Sequence, residues 1–102
     1  MALLSTRTWS DWVDEYSRSH QHPVNRSCHT LGIPMVSLSV AMGAGALFWP
    51  GLWPYAAGLF VVGWIVQFIG HAVEGKRPEF FKDLRFMLVG VRWWLEKTQG
   101  RV

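Results

Sequence analysis

The chain has 102 residues, half of them hydrophobic, with seven Trp, a single Cys and a net charge of +3 from ten Lys and Arg against seven Asp and Glu. That length suits one domain rather than two. One cysteine, Cys28, excludes an internal disulfide and any paired-cysteine zinc site, and it reads as a small buried apolar residue. The basic excess forms no groove interleaved with aromatics, so nucleic acid is not an expected partner.

Residues 9–21 read as an amphipathic helix. Thr8 is placed to cap it, and Asp11 lies in the first turn, where the positive end of the helix dipole favours an acid. Trp9, Trp12, Val13, Tyr16 and His20 fall on one stripe, with Asp11, Asp14, Glu15 and Arg18 opposite. Such a stripe predicts a helix lying on a membrane surface.

From Ser27 to Val73 the chain carries no formal charge. This stretch holds two apolar runs, each close to the roughly 20 residues that cross a bilayer core as a helix. Pro50, Gly51 and Pro54 separate them, and Trp49 and Trp53 suit a membrane–water boundary. The expectation is a transmembrane hairpin, with spans at 24–49 and 52–73. The competing soluble bundle would need a domain of this size to cover two uncharged helices on every side.

Two spans return the chain to the side it left. Lys76, Arg77, Lys82, Arg85, Arg92, Lys97 and Arg101 follow the second span, and Arg7, Arg18 and Arg26 precede the first. The positive-inside rule therefore puts both termini in the cytoplasm, at a bacterial inner membrane or the endoplasmic reticulum. Pro34 should free the carbonyl of Thr30 and kink the first span, leaving a polar group near the histidines. Ser37, Ala41 and Gly45 form a small-residue stripe suited to the second span, at Gly58 and Gly63, or to another subunit in a homo-oligomer. After a turn at Gly75–Pro78, residues 79–97 predict an amphipathic interfacial helix with Phe80, Phe81, Leu84, Leu88, Val91 and Leu95 on its apolar side. The fold class is thus all-α: a small integral membrane protein whose helical hairpin is flanked by interfacial helices, in one domain over 1–102.

The hairpin brings together histidines that are distant in sequence. His20 and His29 precede the first span and His71 ends the second, so the three rings meet at one end. Imidazole is the commonest metal-ligating side chain, and three of them with open positions suit Fe(II) or Zn(II). Asn25, Gln67 and Glu74 are placed to hold the rings or a bridging water. His22 lies off the pattern and reads as structural or solvent-facing. Two other readings use the same residues: a zinc-dependent membrane hydrolase, and a non-enzymatic hairpin that binds partners through its small-residue faces.

Tyr16-x-x-x-His20, Asn25-x-x-x-His29, Gly32-Ile33-Pro34, and Gln67-Phe68-Ile69-Gly70-His71 with Glu74 and Pro78 resemble the Mpo1-like family of 2-hydroxy fatty acid dioxygenases over nearly the whole chain. The resemblance implies a small multi-helix membrane protein that removes one carbon from 2-hydroxy fatty acids, using Fe(II) and dioxygen as co-substrate. It implies iron ligation by His20, His29 and His71, which together with Glu74 form the expected catalytic set. Tyr16, Asn25 and Gln67 would support them. Arg77, Lys82 and Arg85 are the candidates for attracting the substrate carboxylate. The implied partners are the 2-hydroxy fatty acid and the bilayer. The chain departs from the family pattern in having only Ala72 and Val73 between His71 and Glu74, where many members have one residue more.

Overall fold

A computed structural model of the chain describes residues 3–100, and these contain four α-helices and no strand. Arg101 lies outside the described residues. Helix α1 spans Trp9–Arg18, α2 Pro23–Gly45, α3 Trp53–Glu74 and α4 Phe86–Thr98, with short 3₁₀ turns at Pro50–Leu52 and Glu79–Phe81. Helices α2 and α3 form an antiparallel hairpin, and α1 and α4 pack together across its lower end.

Thr8 caps α1 reciprocally. Its Oγ1 accepts the Asp11 amide and the Asp11 carboxylate accepts the Thr8 amide, both at 3.2 Å, which satisfies two donors that a helix start leaves open. The helix stops at Arg18, short of the expected residue 21. The Tyr16 carbonyl there accepts from the Ser19 hydroxyl at 2.9 Å and from the His20 ring at 2.7 Å. Side chains that take a carbonyl in this way compete with continued helix. The apolar stripe of α1 does not face lipid, as the sequence led us to expect. Trp12, Val13 and Tyr16 are buried with Phe86, Val89 and Trp93 of α4.

His22 begins α2, its ring accepting the Val24 amide at 3.1 Å. Both α2 and α3 are long and apolar enough to cross a membrane, and less than a third of the most apolar stretch of each is buried within the protein. Leu31, Leu38, Val40, Phe60, Val61 and Ile65 point outward, so the hairpin needs an apolar surrounding on most sides. Trp49 and Trp53 are exposed at its tip.

The two long helices do not meet along the expected stripe. Ser37 and Ala41 are exposed, and nothing lies near Gly58. On α3 the contact runs through Gly63, as expected, and through Gly70. A Cβ on Gly63 would sit 2.8 Å from Val36, and one on Gly70 would sit 2.5 Å from Asn25 Oδ1 and 2.9 Å from Cys28 Cβ. Several small-residue stripes coexist on these helices, and spacing alone did not distinguish among them.

Pro34 has no N–H, so the Thr30 carbonyl lacks its helical partner. That carbonyl does not face the histidines unpaired, as expected from the sequence; the Trp94 indole N–H donates to it at 2.9 Å. The gap left by a proline in α2 is thereby filled by α4.

Helix α4 begins at Phe86 rather than at 79. The Asp83 carboxylate accepts the Arg85 amide at 3.0 Å and also binds the Arg85 guanidinium, holding residues 82–85 in a turn. Its buried face is Phe86, Val89, Gly90 and Trp93, whereas Phe81, Leu84, Leu88, Val91 and Leu95 are exposed. The expected apolar side is therefore the outward one, except for Phe80, which packs against the core. Both sides are apolar, and the inner side is the one bearing glycine and the largest ring.

Two predictions follow from this packing. Trp94→Phe should lower stability by about 1 kcal/mol by leaving a partly buried carbonyl unpaired, read as a lower unfolding midpoint in detergent. In a Pro34→Ala background, where residue 34 regains its N–H, the same change should cost measurably less. Gly70→Ala should destabilise the hairpin by about 1–3 kcal/mol through overpacking, while Gly58→Ala should be neutral or stabilising by up to about 1 kcal/mol.

Candidate metal centre

Two histidines are aimed by the same local device. The His20 Nδ1 lies 2.7 Å from the carbonyl of Tyr16 and the His29 Nδ1 lies 3.1 Å from the carbonyl of Asn25. A carbonyl only accepts, so both Nδ1 atoms carry the proton and both Nε2 atoms keep a free lone pair. In each case the acceptor is the residue four positions earlier. Ser19 adds a hydroxyl 2.9 Å from His20 Nδ1, a contact that sequence reasoning missed although Ser19 directly precedes the histidine.

The third ring, His71, comes from the last turn of α3. Ring centroids are 4.2 Å apart for His20–His29, 4.7 Å for His20–His71 and 4.6 Å for His29–His71, with interplanar angles of 73°, 70° and 81°. One ligating nitrogen from each lies within 4.8 Å of the others, and all three residues are buried. The Tyr16 ring stacks on His20 at 4.0 Å and 14°, and Trp93 lies 5.8 Å from His20. Burial pushes the His20 imidazole down to about 4, so the ring is neutral near pH 7 and able to ligate. Burial raises the Tyr16 phenol above its ordinary value, so it stays protonated.

Two polar atoms of this cluster are left over. His20 Nε2 and His71 Nδ1 are buried with no hydrogen-bond partner. An unsatisfied buried nitrogen costs about 1–3 kcal/mol, and two in one cluster make a poor core. The donor set fits a divalent metal: three imidazoles with converging ligating atoms, and lone pairs free at His20 and His29.

Glu74 occupies a different place from the rings. Its carboxylate accepts the Gln21 amide at 3.1 Å, the His22 amide at 2.9 Å and the Asn25 side-chain amide at 3.0 Å, and pairs with Lys76 at 3.2 Å. It thus clasps the α1–α2 connection, which carries His20, to the end of α3, which carries His71. Asn25 is fully buried and links this clasp to His29. Gln67 is buried under Gly32 and lines the cavity beside the rings.

The cavity next to the histidines has a volume of about 70 Å³. Arg77, Lys82 and Arg85 are not part of its wall. Lys82 pairs with Glu15 and Glu79, Arg85 pairs with Asp83, and Arg77 is exposed. Glu79, which the sequence did not single out, does line the cavity. Its only sequence signal is its place after Pro78, which is too weak to have found it.

Neither a curated protein nor a solved structure matches the chain. One family model does, described as 2-hydroxy-palmitic acid dioxygenase Mpo1-like, over residues 6–102. With nearly the whole chain covered, the protein belongs to the Mpo1-like family.

Proposed function

We propose that the protein is an Fe(II)-dependent dioxygenase that shortens 2-hydroxy fatty acids by one carbon at a membrane. The observation that carries this reading is the buried trio of imidazoles with two nitrogens unpartnered, in a chain of a family described by dioxygenase chemistry. His20, His29 and His71 would hold the metal, which supplies the one-electron chemistry toward dioxygen that side chains lack. The reaction balances without a further reductant. A 2-hydroxy acid and one dioxygen give the acid one carbon shorter, carbon dioxide and water, with four electrons passing from substrate to dioxygen.

The chain's own residues do the positioning. The carbonyls of Tyr16 and Asn25 fix the two Nδ1 protons, and the Glu74 clasp holds the backbone that carries His20 against α3. Glu74 is in this reading a positioning residue, one that acts through the backbone. The apolar wall excludes water from the reacting carbon. Arg77, Lys82 and Arg85 attract anionic lipid or substrate at the surface and do not bind it within the cavity. The basic residues at the histidine end favour a cytoplasmic location for both termini. A zinc hydrolase has one observation in its favour, since three converging histidines suit zinc equally well.

The decisive experiment is oxygen consumption by anaerobically purified, iron-loaded protein. 2-Hydroxypalmitate should drive uptake of one dioxygen per acid consumed, and palmitate should not. Equal rates with both acids, or full activity with zinc and no oxygen, would contradict the reading. His20→Ala, His29→Ala and His71→Ala should each lower the metal bound per chain, measured by elemental analysis after dialysis against a weak chelator. Ser19→Ala and Glu74→Gln should keep the ligands but weaken metal affinity about 10–100-fold, measured by competition with a chelator.

A further inference from the structure

The cavity is too small for the molecule it is proposed to act on. On the same measure a water-sized group needs about 10–15 Å³, so about 70 Å³ accommodates roughly five to seven such groups. The carboxyl, hydroxyl and Cα of a 2-hydroxy acid are five heavy atoms, which nearly fill it. Any long tail must leave.

The exposed residues of the cavity wall show where a tail could leave. Of the residues lining the cavity, four also reach the outer surface: Ser37 of α2, Phe68 of α3, and Met87 and Val91 of α4. None is charged, and Phe68, Met87 and Val91 are 42%, 45% and 37% exposed. The same three helices also expose the apolar Leu38, Ile65, Leu88 and Leu95. The wall also includes Glu79, whose side chain is 10% exposed and whose carboxylate lies 3.1 Å from Lys82. A hydrocarbon tail crossing there would have to separate an ion pair, whereas at the rim it displaces nothing polar except the Ser37 hydroxyl.

We infer that the rim of Ser37, Phe68, Met87 and Val91 is a lateral doorway through which the acyl tail of the substrate extends into the bilayer, so that the protein reads the head group and does not measure chain length. The inference rests on the reading of the histidine site as acting on 2-hydroxy acids. It differs from a binding tunnel, in which a closed end would set an optimum length.

The test uses the full chain in phosphatidylcholine nanodiscs. With iron loaded, 2-hydroxy acids of 10 to 20 carbons at equal bilayer mole fraction should give kcat/KM values within about twofold of one another. A sharp optimum, with tenfold loss two carbons away, would overturn the doorway while leaving the dioxygenase reading intact. Val91→Trp and Ser37→Trp narrow the rim from two different helices. Each should cut kcat/KM for 2-hydroxypalmitate at least tenfold, spare 2-hydroxybutyrate and leave metal content unchanged, and Val61→Trp on the outer face of α3 should do nothing. Equal loss for the long and short acids, or no loss for either, would overturn the proposal. Retention of radiolabelled 2-hydroxypalmitate by zinc-loaded nanodiscs, above that of empty discs, separates the two claims. Retention that the rim variants abolish, without turnover in the iron form, would uphold the doorway and sink the dioxygenase. Retention indifferent to the rim variants would sink the doorway.

Discussion

Three imidazoles packed edge to face in a buried space are unfavourable unless each has its proton on a chosen nitrogen and something to meet the other. The first half of that condition is met locally for His20 and His29. Each returns its Nδ1–H to the carbonyl four residues earlier, which turns a helical turn into a holder for the ring. The second half is left open, with His20 Nε2 and His71 Nδ1 unpaired. The rest of the structure can be understood as what brings His71 to the same point and keeps it there.

Two long-range devices do this. Glu74 gathers the Gln21 and His22 amides and the Asn25 side chain onto the end of α3, so the connection between α1 and α2 cannot drift from the turn that bears His71. Trp94 reaches from α4 to the Thr30 carbonyl that Pro34 leaves free, one residue after His29. The close approach of α2 and α3 at Gly70 sits between these two anchors. The polar fixings therefore surround the histidines, and the remainder of the hairpin is held by apolar packing and exposes apolar side chains.

Much of this was legible in the sequence because it is local or follows from topology. The paired quartets Tyr16–His20 and Asn25–His29 are visible as spacing, and a charge-free run broken by Pro50 and Gly51 implies a chain that folds back and returns His71 to them. What could not be read depends on contacts between distant elements. The Glu74 clasp joins residues about 50 positions apart, so nothing local distinguishes it from a carboxylate aimed at a metal. The burial of α1 against α4 was hidden because an amphipathic stripe looks the same whether it meets lipid or protein. In α4 the row Leu88, Val91, Leu95 and the row Phe86, Val89, Gly90, Trp93 are both apolar, and hydrophobic periodicity cannot choose between two apolar faces. The stripe at Ser37 and Ala41 failed for a related reason: Gly63 was expected at the contact, but small residues also lie at Gly32 and Gly70, and spacing does not choose among them.

The central claim is that folding back through an apolar medium assembles His20, His29 and His71 into one set of metal ligands. X-ray absorption at the iron edge of anaerobically Fe(II)-loaded protein tests it most directly, because it counts scattering imidazoles without reference to turnover. The account predicts three imidazole nitrogens in the wild-type chain and two in His71→Gln. Coordination by oxygen alone, or an imidazole count that the substitution leaves unchanged, would contradict it.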